Sequence, residues 1–317
     1  MLGLTWIVAG ALQFQPFMFS KGFLDQVIAP VAHGQPAWIA ASITWSVHLT
    51  GQHHVVYNAL FAATQVLIGA GLLVRRSVKP ALAVSFGWAL GVWWFGEGLG
   101  LVSTGTVSPL SGTPGAVIIY ALVGALVWPH RSSQHSASEP DRSQRRAALA
   151  GKLVWAGLWM SSAALWLLPA NREAGSARDA IGAASYGWLA RAQHAAAAAA
   201  SGHGLGIAIA LAGASALIAL GIAVPATARP ALVAGVALSL AFWAFGQGFG
   251  MITTGTATDV NAGPLYVLLA LRLWGDPAVV IRQTARLRRP RREQQPQSRL
   301  AASAGRALTT KGAYSAS

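Results

Sequence analysis

A fourteen-residue segment occurs twice in this chain, and the repeat constrains the fold more than any other feature. Trp93–Thr106 reads WWFGEGLGLVSTGT, and Trp243–Thr256 reads WAFGQGFGMITTGT, 150 residues later. Four further pairs match at the same spacing: Trp38 with Trp188, His53 with His203, Pro80 with Pro230 and Pro114 with Pro264. The beginning repeats with a three-residue slip, since ALQFQP (Ala11–Pro16) corresponds to ALWLLP (Ala164–Pro169). A unit this long is not a solenoid repeat, and it predicts one module that was duplicated and fused.

The composition places both modules in a lipid bilayer. Apolar residues make up 54% of the chain, charged residues only 10%, and the mean hydropathy is +0.48, whereas soluble domains carry about 25% charged residues. Several windows approach the roughly 20 apolar residues that cross a bilayer. We therefore predict an all-α, polytopic transmembrane helix bundle of two four-helix repeats, with about eight transmembrane helices. An even number of helices makes the two repeats parallel, related by an axis along the membrane normal.

Polar, Arg-rich segments divide the chain. The predicted organisation is a first four-helix membrane repeat at 1–128, a basic cytoplasmic linker at 129–151, a second four-helix membrane repeat at 152–281, and a disordered basic cytoplasmic tail at 282–317. Ser, Gln and Arg are abundant in both the linker and the tail. Such composition favours disorder, because it offers little apolar surface to bury.

The net charge of +14 is distributed in a way that favours a membrane topology. Nineteen of the 23 Lys and Arg residues fall in the linker, the tail and the turns on one predicted side. This asymmetry predicts a multi-pass protein of the cell membrane with both termini cytoplasmic. The lipid bilayer is then the first partner, and the Arg-rich tail is expected to attract anionic lipid. Nucleic acid is not an expected partner, since no folded module that reads it accompanies the basic segments.

Glu97 is the strongest candidate for a functional residue. It is the only carboxylate predicted in the central helices, near the outer end of the third helix, and Gln247 occupies its position in the second repeat. A carboxyl at membrane depth is costly and usually faces a cavity or a partner. Glu97 is a candidate for proton or ligand handling. A structural hydrogen bond between helices, or exposure at the interface, would also fit.

Two further sets of polar residues are candidates. The first, in the apolar helices, would line a polar cavity or form interhelical hydrogen bonds: Gln13, Gln15, Asn58 and Gln65. The second lies in the two Thr- and Gly-rich outer loops, which either cap the outer face or dip inward to line a cavity: Thr104, Thr106, Thr254, Thr256, Asp259 and Asn261.

Motifs for catalysis or metal binding are absent from the sequence. There is no Cys, and no HExxH, P-loop or GxSxG pattern; no catalytic residue is predicted and an activity of its own is not expected. His53, His54 and His203 are weak candidates for a metal or haem site, but they suit histidines at a helix start better. No metal site is predicted, and the sequence indicates no particular cofactor.

Each module resembles the DoxX/DoxD-like group of small four-helix membrane proteins. The resemblance lies in GALQFQP at the end of the first helix, a long outer loop, QVLIGAGLLV in the second helix and a basic turn before an apolar third helix. In that group the second helix often carries an acid where this chain has Gln65. The chain is also similar to actinobacterial integral membrane proteins that carry LQxQPxMF (Leu12–Phe19) and FGEGLG…TG (Phe95–Gly105) signatures.

The resemblance implies a membrane partner of an oxidoreductase subunit. The first hypothesis is thus an accessory or quinone/redox-associated membrane subunit without its own catalytic motif. The alternatives are a small-molecule or proton-coupled transporter that uses Glu97, and a structural membrane assembly protein. A deep cavity containing Glu97 would favour transport. A lipid-facing slot on a flat surface would favour the quinone-associated subunit.

Overall fold

The computed structural model describes residues 1–129, 139–181, 187–252 and 254–275, with no side chains described for 139–144. All regular structure in these ranges is helical, which confirms the predicted all-α class. Short helical turns join ten longer helices: α1 (Leu2–Leu12), α2 (Ala37–Gly51), α3 (His54–Leu73), α4 (Val78–Gly91), α5 (Ala116–Leu126), α6 (Glu139–Trp166), α7 (Gly187–Ala200), α8 (Gly204–Gly221), α9 (Ala228–Phe245) and α10 (Ala262–Trp274).

The helices of the two halves pack in the same order. In the first half α1 packs on α3, α3 on α4 and α4 on α5; in the second, α6 packs on α8, α8 on α9 and α9 on α10. The shorter helix α2 contacts the π-helical turn Val92–Gly96 that follows α4, and the shorter helix α7 contacts α9. The halves meet along α5, α6 and α10. Buried aromatic and aliphatic side chains of these three helices form much of the central core.

Small residues bring α1 and α3 close together. A Cβ added at Gly3 would lie 2.8 Å from the carbonyl oxygen of Gly69, and one added at Gly69 would lie 2.6 Å from that of Gly3. Gly10 approaches the carbonyl oxygen of Ala62 in the same way. Such backbone contact is how helices associate in lipid, where burying larger apolar side chains gains little.

Within the described ranges, four helices are long and apolar enough to cross a bilayer, whereas the sequence predicted about eight. They are His54–Leu73, Arg145–Trp166, Gly204–Gly221 and Ala228–Phe245. Three further apolar helices are shorter, namely α1, α5 and α10. An 11-residue helix is about 16 Å long, which is less than the hydrocarbon thickness. Pro16 follows α1 closely, and irregular Thr- and Gly-rich segments end directly before α5 and α10, so none of the three helices continues in these directions.

The outer surface of the helices is apolar. Leu67 on α3 is 70% exposed, and Leu217, at the same position of α8, is 72% exposed. Large exposed apolar side chains on several helices are unfavourable in water and suit contact with lipid. The architecture is that of an apolar helix bundle compatible with an integral membrane protein.

The domain limits predicted from the sequence lie partly outside the described residues. Helix α6 begins at Glu139, inside the segment predicted as a linker at 129–151. The rest of that linker, from 130 to 138, and the tail at 282–317 lie outside the described residues.

Candidate functional site

A cavity of about 410 Å³ lies in the first half of the bundle. Residues of α1 to α5 form its walls, and Thr258 and Asp259 from the second half close it at the end where the Thr- and Gly-rich segments lie, hereafter the loop end. Eight aromatic side chains line it. Ring contacts connect several of them: Trp6 lies 4.4 Å from Tyr120, and Phe61 lies 5.4 Å from Trp88, between ring centroids. A concave, largely apolar space with a few polar groups is the usual form of a small-molecule site.

Glu97 lies at the polar end of this cavity. Helix α4 is extended by a π-helical turn, Val92–Gly96, and Glu97 follows this turn directly. Its Oε1 accepts a hydrogen bond from the backbone N–H of Val117, in the first turn of α5, at 3.4 Å. Its Oε2 is buried without a hydrogen-bond partner among the described residues. The free N–H groups at the start of a helix favour an anionic partner, so α5 holds the carboxyl in place.

Two carboxyls face this end of the cavity, because Asp259 lines it together with Glu97. Glu97 follows the π-helical turn and Asp259 precedes α10, so both lie outside the regular helices, whereas the sequence predicted Glu97 within the third helix. Burial, and secondly the charge of Asp259, raises the pKa of Glu97 to about 8. Burial raises the pKa of Asp259 to about 6, although its Oδ1 accepts a hydrogen bond from the backbone N–H of Asn261 at 2.6 Å. Burial therefore favours the protonated form of Glu97 at neutral pH.

The amide side chains predicted as cavity residues fall into two groups. Gln13 and Gln65 are buried and line the cavity. Gln15 and Asn58 support the wall instead: Gln15 Nε2 donates to the carbonyl oxygen of Ala257, and Asn58 Nδ2 donates to that of Gln13 at 2.8 Å. Gln13 Nε2 donates to the carbonyl oxygen of Thr258 at 3.3 Å. Its Oε1 is buried and has no partner within the described part of the chain.

A left-handed turn positions Glu97. The four residues Gly98–Leu101 have φ between +52° and +66°, and Gly248–Met251 have φ between +52° and +70°. Such conformations are unfavourable for residues with a Cβ, so strain is stored in both copies. Each turn is fixed to the segment before the last helix of its half, since Trp93 Nε1 donates to the carbonyl oxygen of Pro114 and Trp243 Nε1 to that of Val260.

The second half contains a much smaller cavity, of about 10 Å³, lined by related residues. Trp159 and Ser162 line it, and in the sequence alignment of the two halves, with its three-residue slip, they correspond to Trp6 and Ala9 of the larger cavity. Phe242 and Gln247 line it where the first half has Val92 and Glu97. Tyr266 takes the place of Tyr120. These lining residues of the two cavities thus stand at corresponding positions in the sequence, but the volumes of the two cavities differ.

Two larger side chains fill the space in the second half. Trp166 stands where the first half has Gln13, and its side chain is 1% exposed. Phe242 stands where the first half has Val92, and its ring centroid lies 5.9 Å from that of Trp166. The larger side chains at these two positions leave less space here than Gln13 and Val92 leave in the first half. The polar group at the end also differs, because Gln247 replaces Glu97 and its Nε2 donates to the carbonyl oxygen of Leu110.

The loop segments are exchanged between the halves. Thr258 and Asp259 of the second half close the cavity of the first half. Pro109, Gly112 and Thr113 of the first half line the small cavity of the second half. Each site is therefore completed by the loop of the other half.

The remaining predicted residues lie away from the cavity. The Thr104 and Thr106 hydroxyls hydrogen-bond to each other, as do those of Thr254 and Thr256, within their own turns. Asn261 caps α10, since its Oδ1 accepts from the backbone N–H of Ala262. Three histidines sit at helix starts, as the simpler interpretation expects: His53, His54 and His203. The described residues contain no group of three or more His, Asp or Glu side chains able to hold a metal ion.

Sequence reasoning missed several residues of the site. Trp6, Val92 and Tyr120 line the cavity, yet each reads as an ordinary apolar residue of a helix. The sequence repeat did not reveal Tyr120, because the corresponding Tyr266 lies 146 residues later and not at the repeat spacing of 150. No family model matches this chain, and no curated protein or solved structure matches it significantly.

Proposed function

We propose that this chain is an integral membrane protein that binds an amphipathic organic molecule in the first-half cavity and couples that binding to protonation of Glu97. The observation that carries the proposal is the position of a buried, partly unpaired carboxyl at the polar end of an aromatic-lined cavity of about 410 Å³. A small-molecule or proton-coupled transporter needs both features, a space for the cargo and a group that changes protonation when the cargo binds.

The architecture that we propose for this function has two parallel four-helix repeats. The shared order of helix packing, the paired left-handed turns and the exchanged loops support it. We further propose a multi-pass protein of the cell membrane with both termini cytoplasmic, based on the distribution of Lys and Arg. We also propose, as a hypothesis about its family, that the chain is related to the DoxX/DoxD-like membrane proteins that it resembles.

Reporter fusions test the proposed topology. Fusions after Trp128 and after Arg282 are expected to be cytoplasmic, and one within Ser108–Thr113 is expected to be external. The reason is the basic character of the segments near the first two positions, which retains them on the cytoplasmic side. An external reporter at either of the first two positions would contradict the arrangement.

Filling the cavity tests the binding function. Val92→Phe introduces into the first half the side chain that the second half carries as Phe242, and we expect binding of small aromatic probes to fall at least about tenfold because the space is occupied. The probes are benzyltrimethylammonium and its neutral isostere neopentylbenzene. Binding to the full-length protein in lipid nanodiscs is followed by the fluorescence of the lining tryptophans.

Val84→Phe is the matched control, because Val84 lies on the same helix with 53% of its side chain exposed. We expect this variant to bind like the unmodified protein. If neither probe binds saturably to the unmodified protein, or if both variants bind equally well, the proposed function is wrong.

A second candidate function is the accessory, quinone/redox-associated subunit. The apolar aromatic walls favour it, as does Trp6 Nε1, a buried donor without a partner among the described residues. A short-chain quinone that binds in a Val92→Phe-sensitive manner, together with co-purification of an oxidoreductase subunit, would support this candidate over transport. A purely structural assembly role would leave all probes unbound.

A further inference from the structure

Building on the proposed function, we infer that the first-half cavity selects organic cations, with the ammonium group held between the Glu97 and Asp259 end and the aromatic walls. The inference rests on three properties of the lining: its charge, its aromatic faces and its surplus of acceptors.

The charged residues among the described lining are all acidic. Glu97 and Asp259 are the acidic residues that line the cavity, and no Lys, Arg or His is among the described residues that line it. Because the surroundings are apolar and exclude much of the water, a positive charge near these carboxyls is attracted more strongly than at a surface. An anionic ligand would meet repulsion and no compensating cation.

The walls suit a positive charge as well. Trp6, Trp45, Tyr57, Phe61, Trp88 and Tyr120 surround the space. The face of an aromatic ring carries partial negative charge and attracts ammonium groups, with Trp the strongest of these rings. An uncharged hydrocarbon would be accommodated by the same walls but would gain nothing from this attraction.

The hydrogen-bonding groups at the polar end are mostly acceptors. Glu97 Oε2 and Gln13 Oε1 are buried and lack partners among the described residues. Tyr120 donates its hydroxyl to the carbonyl oxygen of Thr5. A buried acceptor without a partner is costly, and a ligand that brings a positive charge or N–H donors removes that cost. A carbonyl ligand would gain nothing from these acceptors and would have to turn to Trp6 Nε1, the unpartnered donor of the described lining.

Protons compete with such a ligand. The titratable groups that face Glu97 are Asp259, from the exchanged loop, and Tyr120, from α5. Since the pKa of Glu97 is raised to about 8 and that of Asp259 to about 6, both carboxyls become anionic as the pH rises from 6 to 9. Cation affinity should increase over this range, and binding at neutral pH should release a proton.

The test compares the isosteric probes in lipid nanodiscs. For the unmodified protein we expect the affinity for benzyltrimethylammonium to rise at least about tenfold between pH 6 and pH 9, with proton release seen as a buffer-dependent heat in calorimetry. In Glu97→Gln we expect at least about a tenfold loss of cation affinity at pH 9 and a flatter pH profile. Affinity for neopentylbenzene should stay within twofold in both proteins.

Glu173→Gln is the control, because the Glu173 side chain is exposed and the substitution is the same. Folding of Glu97→Gln is expected, because Gln247 already occupies the equivalent position. If both probes bind in a Val92→Phe-sensitive manner but Glu97→Gln leaves the cation affinity within twofold, the cation inference and the coupling to Glu97 are overturned, whereas small-molecule binding in the cavity stands. If neither probe binds, the proposed function itself is overturned.

Discussion

Gly100→Ala is expected to destabilise the protein by about 2–5 kcal/mol, the sum of an unfavourable backbone conformation and a steric overlap. Gly100 has a φ of +66°. A Cβ at this position would overlap the carbonyl oxygen of Pro114 and lie 2.7 Å from its carbonyl carbon. The obstacle is backbone, and the same oxygen accepts the hydrogen bond from Trp93 Nε1 at 2.9 Å. Unfolding in a mixed-micelle denaturant titration measures the effect.

Gly105→Ala separates the two contributions. Gly105 has nearly the same φ, +69°, but a Cβ there would meet no atom within 4 Å. We expect this control to cost about 1 kcal/mol, which is the conformational part alone. Equal free energies of unfolding for the two variants would show that the turn moves away from Pro114 easily. In that case the turn would not be a rigid support for Glu97.

Trp166→Ala is expected to lower the free energy of unfolding by about 3–5 kcal/mol, since a fully buried indole is lost and a void remains. Adding Phe242→Val to this variant removes the second side chain that fills the small cavity. The double variant should bind neopentylbenzene at two sites per chain instead of one. Equilibrium binding in nanodiscs gives the number of sites.

Leu217→Ala serves as the comparison for stability. Leu217 lies on α8 with 72% of its side chain exposed, so its truncation should change the free energy of unfolding by less than about 0.5 kcal/mol. A Trp166→Ala variant as stable as Leu217→Ala, or a double variant that still binds one probe, would refute the explanation for the filled cavity.

The sequence was sufficient for the helical class, and it singled out Glu97 as a candidate, a residue that lines the cavity. Few folds accommodate long apolar segments with so few charged residues. A carboxyl among apolar residues is noticeable because burying its charge in a membrane costs free energy. The cavity could not be predicted, because its volume depends on whether a side chain such as Val92 or Phe242 fills a particular space. That is a property of packing and leaves no periodic pattern in the sequence.

The fixed spacing of the repeat was also misleading in one region. At 150 residues Pro114 pairs with Pro264, but Pro114 precedes α5 whereas Pro264 lies in the first turn of α10. The loop of the second half is four residues shorter, so Val260 takes the place of Pro114 as the acceptor for the tryptophan. The sequence predicted Asp259 only as a residue of the outer loop and not as a neighbour of Glu97. Its approach to Glu97 depends on the exchange of loops, which sequence spacing does not record.

The exchanged loops have a consequence for how the site is made during synthesis. The first half leaves the ribosome more than a hundred residues before Thr258 and Asp259, which close its cavity. Until those residues are inserted, the aromatic walls and Glu97 stand open at the loop end, and the capacity to bind arises only late in translation. A nascent chain arrested between the halves would therefore carry an incomplete site, and each half depends on the other for maturation as well as for packing.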